Sequence, residues 1–300
     1  METTVIDPSQ VAERYRAEIR AQVEELPRRP KVVGLLTQHE GPAHTYATYA
    51  KRGTEAVGME MELWRLEPHE VGDAVRRANA DESVDGMFLY YPLVDPVEDR
   101  WLRELVDPRK DIEGMHSFWS RLLYENRRFL DDAHTRRAIV PCTPLGILKL
   151  LDETGLRGSG ASPSLEGVTA CVINRSEIVG RPLSAMLAND GATVLSLDLS
   201  GSVVFDPAIG RHTHSVRDAE VSRAEALAAA DLVITGVPSR DFPLVRAEEI
   251  REGAICVNFS SYRNFDESIM GTASAFVPRV GPMTVTMATR NLLRLAAVHR

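Results

Sequence analysis

From Val172 to Asp198 the sequence reads VINRSEIVGRPLSAMLANDGATVLSLD: strand, tight turn, helix, and a second strand closed by a carboxylate. The apolar run Val168 to Ile173 is short and flanked by polar residues, the pattern of a buried parallel strand. Arg181-Pro182 opens the helix, where the missing N–H of proline costs nothing, and Gly191 ends it. Ala192 to Leu197 forms the next strand, and Asp198 stands at its carboxyl end. In a dinucleotide-binding βαβ unit that position faces the adenosine ribose. A carboxylate there accepts from the 2′- and 3′-hydroxyls and repels a 2′-phosphate. The segment points to NAD rather than NADP.

The turn departs from G-x-G-x-x-G. Asn174, Arg175 and Ser176 occupy it, and Ile178, Val179 and Gly180 lead into the helix, whose first N–H groups suit a pyrophosphate. Leu199, next to Asp198, joins the same candidate set. An ordinary βαβ unit without a cofactor has this pattern too, and Arg175 could instead hold a 2′-phosphate. The carboxylate close by on the next strand weighs against that second alternative. Gly236, Val237 and Pro238 end the strand read as Asp231 to Val237, on the side where α/β sheets bind ligands.

Three hundred residues suffice for two moderate domains or one large α/β unit. The net charge of −8 disfavours nucleic acid and anionic membrane as partners, since both attract basic surfaces. No apolar run approaches the ~20 residues that span a bilayer, and METTVIDPSQVAERYRAEIR lacks the features of a signal peptide. Cys142, Cys171 and Cys256 are odd in number and have no metal-ligand spacing, which suits free thiols in a reducing cytoplasm. His212 and His214 lie close together without other ligands nearby, so a solvated loop is expected there and no metal site.

The elements that must position these residues follow from the hydrophobic pattern. Val11 to Leu26 reads as a helix, Lys31 to Thr37 as a buried strand, and Ala43 to Val57 as a helix ended by Gly58. Met59 to Leu66 reads as a strand, His69 to Asn79 as a helix, and Val84 to Tyr91 as a strand stopped by Pro92. A loop is expected from there to Pro108, then a turn over Lys110 to Gly114. Pro141-Cys142-Thr143-Pro144 opens a helix to about Asp152, with Thr143 as its N-cap. Gly158 to Ser164 reads as a linker. Leu199 to Ser222 is either a surface insertion or a loop over the cofactor. Helix Ala224 to Ala230, strands Asp231 to Val237 and Ile255 to Phe259, and a closing helix Thr284 to Val298 complete the series. Strand alternating with helix makes the first half an α/β unit in its own right.

Several separated motifs resemble one family. PCTPLGILKLL at Pro141 to Leu151, INRSEIVGRP at Ile173 to Pro182 and VGPMTV at Val280 to Val285 are similar to segments of the methylenetetrahydrofolate dehydrogenase/cyclohydrolases. Tyr46, KDIEG at Lys110 to Gly114, and YYPL at Tyr90 to Leu93 fill positions of that family's folate cleft. The resemblance covers nearly the whole chain. It implies two α/β domains flanking a cleft, the second of Rossmann type, with the C-terminal helix packed back on the first. The expected division is 1–155 with 284–300 for folate, and 156–283 for NAD. A folate substrate, NAD and a homodimer are implied with it.

The departures carry as much as the matches. Members with both activities place Tyr-x-x-x-Lys on the helix read here as Ala43 to Val57. Counting from Tyr46, the lysine position is Ala50, and Lys51 is one residue on. A helix turns ~100° per residue, so Lys51 leaves the Tyr46 face. Tyr90 stands where cyclohydrolases have Gln, Glu113 replaces the Asp of KDVDG, and Pro278-Arg279-Val280-Gly281-Pro282 is one glycine short. Together these changes resemble the monofunctional NAD-dependent branch.

The resemblance assigns folate contacts to Tyr46, Ala50, Tyr90, Tyr91, Pro92, Val280 and Gly281. Tyr46 is expected to stack on the pterin or aminobenzoyl ring, or else to be a plain core tyrosine. Glu113 either holds the pterin or supplies a field for the developing cation; otherwise it is a solvated turn carboxylate. Cys142, at a helix start, is expected to have its pKa lowered by the dipole and to face the cleft, or else to be a small packing residue. Two other readings remain. A bifunctional enzyme could have substituted other residues for the lysine, and a catalytically silent nucleotide-binding subunit could retain the motifs.

Overall fold

In a computed structural model, the residues described are 2–156, 164–208 and 213–298. The expected linker at 158–164 lies almost wholly outside them, as does His212. In chain order the elements begin with β1 (Thr4–Val5), α1 (Pro8–Glu24), β2 (Lys31–Leu36), α2 (Pro42–Glu55) and β3 (Glu60–Arg65). Next come α3 (Val71–Ala80), β4 (Gly86–Leu89), α4 (Pro96–Leu105), α5 (Ser117–Tyr124) and α6 (Cys142–Asp152). The second half carries β5 (Thr169–Ile173), α7 (Gly180–Asn189), β6 (Thr193–Asp198), β7 (Gly201–Ala208) and β8 (Thr213–Ala219). Then follow α8 (Arg223–Ala229), β9 (Leu232–Thr235), β10 (Ile255–Asn258), β11 (Ala275–Val277) and α9 (Gly281–Val298).

The chain folds into two compact units, both α/β as expected. The first comprises Met1–Val11, Leu123–Arg127 and Thr143–Met283; the second comprises Ala12–Leu122, Arg128–Cys142 and Thr284–Arg300. The first unit's sheet runs β1-β11-β10-β9-β5-β6-β7-β8. Strands β5, β6, β9, β10 and β11 are parallel, and their central members are buried runs of Val, Ile, Leu and Cys. After β6 the chain returns to the other side of β5 to form β9. The carboxyl end of β5 is therefore a switch point, where such sheets bind ligands.

Within Leu199 to Ser222, expected as a surface insertion or a loop over the cofactor, the described residues form the antiparallel pair β7 and β8, which extends the sheet from β6. Strands β1 and β11 were also not anticipated. Thr4 pairs with Ala275 and Val5 with Phe276, and this pairing is why the first residues group with the nucleotide-type sheet rather than with the first half.

The second unit is built on the parallel sheet β3-β2-β4. Its core gathers Val33, Leu35, Val71, Val75, Met87, Leu89 and Leu102. The expected loop before Pro108 contains α4 instead. The Asp95 carboxylate caps α4 by accepting from the Val97 and Glu98 N–H groups, and Pro96 fills the first helical position. Helix α5 was likewise not foreseen. From Thr284 onward α9 belongs to the second unit. Its Asn291 amide donates to the Ile112 and Val140 carbonyls at 2.9 and 3.0 Å.

Candidate active site

In the second unit, KDIEG is a scaffold that presents one carboxylate. The buried Lys110 Nζ donates to the carbonyls of Ala78, Asn79 and Asp81, satisfying the end of α3; burial lowers its pKa. Asp111 folds the turn by accepting from the N–H groups of Glu113, Gly114 and His116 at 2.7–3.0 Å. Glu113 projects from this turn, and its Oε2 accepts from the Leu89 N–H at 2.9 Å. Burial, with Asp111 beside it, pushes the Glu113 carboxyl up to about 8, while the Leu89 N–H and Arg103 pull the other way. It is not a solvated turn carboxylate.

Tyr46 and Tyr90 lie near it and form a cluster of rings with Phe88. Phe88 and Tyr90 stack at 4.7 Å, and Tyr46 meets them edge-on at 6.0 and 5.9 Å. The Cβ of any residue larger than glycine at position 34 would lie 2.8 Å from the Tyr90 ring, so Gly34 lets that ring settle over β2. The Tyr90 hydroxyl is buried without a hydrogen-bond partner, and burial raises its pKa well above 10. Tyr46 lies near enough to Glu113 and Cys142 that their negative forms, after burial itself, push its own pKa up.

Ala50 is fully buried on the Tyr46 face of α2, whereas Lys51 Nζ lies 3.6 Å from Glu55 on the outside. The structure places no cation at position 50. Tyr91 is half-buried, and Pro92, after a cis peptide bond, is exposed. Val280 and Gly281 belong to the first unit, where Val280 is buried and Gly281 begins α9.

For Cys142 the expectation of a lowered pKa is corrected. The thiol is buried and donates to the Ile112 carbonyl at 3.3 Å. Burial first, then Glu113 and Asp111, push its pKa well above 9, outweighing the α6 dipole. Because α6 already begins at Cys142, Thr143 sits in its first turn and is not the N-cap. Cys142 should therefore react with iodoacetamide at least about 100-fold more slowly than free cysteine at pH 8. Rapid alkylation of the folded protein would contradict this placement.

In the first unit the turn after β5 is tightly made. Asn174, at φ 135°, donates from Nδ2 to the Gly236 carbonyl, and its Oδ1 accepts from the Ser176 N–H. The Ser176 hydroxyl accepts from the Val179 and Gly180 N–H groups at 3.3 and 3.4 Å. A Cβ at Gly180 would come within 1.7 Å of the Asn174 carbonyl oxygen, so only glycine closes this turn. Asp198 accepts from the Arg175 N–H and the Leu199 N–H, both at 2.7 Å, through different oxygens, so each oxygen keeps a free lone pair.

The Arg175 guanidinium is tied to the Ser196 carbonyl, the Ser200 hydroxyl and the Gly201 carbonyl. Ile178 and Leu199 are exposed beside this loop. Val237 is fixed by Asn264, which accepts from its N–H and donates to its carbonyl, and Pro238 follows. These residues fit a dinucleotide: a glycine-tight turn, a helix N-terminus and a carboxylate with acceptor capacity at the next strand's end.

Several supporting residues were missed. Asn264 gave no sequence signal, whereas Asn291, a lone amide on the apolar face of α9, did. The expected metal-free loop around His212 and His214 is in part strand: His214 lies in β8, its Nδ1 2.8 Å from Asn189 Oδ1. Among the described residues no group of three or more His, Cys, Asp or Glu is placed to hold a metal, and no helix is long and apolar enough to cross a membrane.

Residues 6–113 match the model of the tetrahydrofolate dehydrogenase/cyclohydrolase catalytic domain, and residues 141–206 match its NAD(P)-binding domain. The chain is 38% identical over 293 residues to a methylenetetrahydrofolate dehydrogenase [NAD(+)] of Dictyostelium discoideum, covering 97% of this chain and 93% of that one. It is 36% identical over 298 residues to the Schizosaccharomyces pombe protein of the same name, covering 98% and 93%. Among solved structures, the NAD-dependent 5,10-methylenetetrahydrofolate dehydrogenase from Saccharomyces cerevisiae matches with a TM-score of 0.91 at 36% identity, covering 99% of this chain and 98% of that one.

Proposed function

This chain belongs to the tetrahydrofolate dehydrogenase/cyclohydrolase family, and from that premise we propose that it oxidises 5,10-methylenetetrahydrofolate with NAD and leaves the methenyl product unhydrolysed. The observation that carries the redox half is Asp198, held by two backbone N–H groups at the end of β6 with acceptor capacity left for ribose hydroxyls. Arg175, whose guanidinium is engaged by its own loop, is not offered to a 2′-phosphate. NAD is the cofactor. When bound, it accepts the hydride that leaves the folate methylene carbon, while the folate nitrogens feed electron density into the methenyl cation.

The protein's own part is binding and alignment. The residues around Asn174 to Gly180, with Asp198 and Gly236 to Pro238, hold the dinucleotide. Tyr46 offers its ring to the folate rings with the buried Tyr90 packed edge-on behind it, and Tyr91 and Pro92 add to the folate contacts. Glu113 offers two carboxylate oxygens to the N3–H and 2-amino edge of a pterin. No protein base is needed to remove a proton in hydride transfer.

Hydrolysis of the methenyl group needs water activated and protons moved. Ala50 has no group for this, Lys51 is paired with Glu55, and Tyr90 is driven further from a usable pKa by burial. Loss of the second activity is thus supported by three residues. Ala50→Lys combined with Tyr90→Gln should bring methenyl hydrolysis above the uncatalysed rate, with the amide replacing a ring to make room for the amine. A double variant as inert as the parent would show that more than these two positions was lost.

The cofactor assignment is tested by initial rates with NAD and NADP side by side, which should favour NAD by at least about 100-fold in kcat/KM. Equal or better turnover with NADP would overturn it. The buried free thiols Cys142, Cys171 and Cys256 support a reducing, cytoplasmic setting, and localisation of a tagged chain checks this. A homodimer is proposed with β8, the outer strand of its sheet, as the available edge; a sedimentation mass of one chain at micromolar concentration would refute it.

A further inference from the structure

A cavity of about 570 Å³ opens in the second unit between α1 and α9. Three guanidinium groups line it: Arg290 and Arg294 one helical turn apart on α9, and Arg137 from the loop before α6. Among the described residues, none of the three has a carboxylate within ion-pair distance. Glu18 and Glu25 stand on the α1 side of the same cavity, and neither reaches an arginine. Each flanking cation rests on an aromatic face: Arg290 lies 5.7 Å from the centre of Tyr15, and Arg137 lies 4.9 Å from that of Phe129.

We propose that this cavity is a binding site for a small phosphorylated anion, held jointly by Arg137, Arg290 and Arg294. Ring faces orient Arg137 and Arg290 without neutralising them, so with Arg294 three charges gather here with no described carboxylate in ion-pair reach of them. Half-buried Arg294 shows the consequence. Burial lowers its pKa to about 10, and Arg290 and Arg137 push in the same direction. A partner carrying two or more negative charges relieves that repulsion. The planar two-donor edge of each arginine matches phosphate oxygens. The volume exceeds that of a bare ion and falls within the ~300–1,000 Å³ of small-molecule pockets. In a chain of net charge −8 this local reversal of sign selects for anions. The site uses none of the residues assigned above to NAD or to folate.

The test is isothermal titration calorimetry of the full chain with saturating NAD present, so that the dinucleotide loop is filled. Inorganic pyrophosphate and fructose 1,6-bisphosphate serve as probes, with citrate as a carboxylate comparison. One equivalent of a phosphorylated probe should bind with Kd below ~1 mM, weaken with added salt, and exceed citrate in affinity. Arg294→Gln and Arg137→Gln should each weaken it about ten-fold or more. Arg294→Gln should melt no lower than the parent, because it removes a repelled cation; this separates lost binding from lost folding. Absence of saturable binding by both phosphorylated probes, stronger citrate binding, or undiminished affinity in Arg294→Gln would overturn the proposal.

Discussion

With Asp198 replaced by Ala, the preference for NAD over NADP should fall by about 100-fold or more. Two hydrogen bonds from ribose hydroxyls to a charged acceptor are removed, each worth ~1.5 kcal/mol, and ten-fold in kcat/KM corresponds to ~1.4 kcal/mol. A second effect adds to the first. The Arg175 and Leu199 N–H groups, which now donate to Asp198 at 2.7 Å, become available to a 2′-phosphate once the carboxylate is gone. NAD turnover therefore drops while NADP turnover rises. Initial rates across both cofactors measure it. A variant that keeps the parent's ratio would remove Asp198 from the cofactor site.

Glu113→Gln is expected to lower kcat/KM for the folate about 100-fold, because the amide offers one acceptor and no charge to the pterin's donor edge, a loss of ~3 kcal/mol. Its pH behaviour distinguishes this role from a structural one. The folded carboxyl is held near 8, against an ordinary value of 4.5. If the ionised form binds pterin, the parent's kcat/KM rises with pH and levels off above about 8, and the variant lacks that limb.

Stability should move the other way. Between 4.5 and about 8 the folded state binds more protons at Glu113 than the unfolded state does, so this residue's contribution to stability falls as pH rises through that window. Glutamine cannot ionise. At pH 8.5 the variant should melt roughly 2–6 °C higher than the parent while losing activity. A lower Tm together with a retained pH limb would place Glu113 in the scaffold instead.

The legible parts of the sequence were those where one local pattern sufficed. The buried strands β5 and β9 announced themselves as apolar runs, and the Asn174 to Gly191 turn and helix by Pro182, Gly180 and Gly191. The offset between Ala50 and Lys51 needed only the helical period, and the two side chains do part as that period requires. Helix α4 carries its own local signal: Asp95-Pro96 with Glu98 and Asp99 is an N-cap, a first-position proline and an acidic first turn. Strands β1 and β11 carry no readable period, since they have three residues or fewer and their pairing joins positions 271 residues apart. The β7–β8 pair was hidden by its mixed polar surface, which comes from lying at the sheet's edge.

Within the site, residue identities were readable and environments were not. The helix dipole at Cys142 is local, whereas the burial that overrides it comes from the Glu113 turn and α9. The Glu113 carboxyl, pushed up to about 8, likewise owes this first to burial that no neighbouring residue in sequence reveals, with Asp111 two residues away adding to it.

The central claim is that the oxidation is retained and the hydrolysis is gone. One progress curve decides it: the purified chain with NAD and 5,10-methylenetetrahydrofolate, followed by the absorbance of the methenyl product. Methenyltetrahydrofolate should accumulate in step with NADH and then decay at a rate independent of protein concentration. Decay that scales with the amount of protein, or NADH formed without methenyl build-up, would contradict the account.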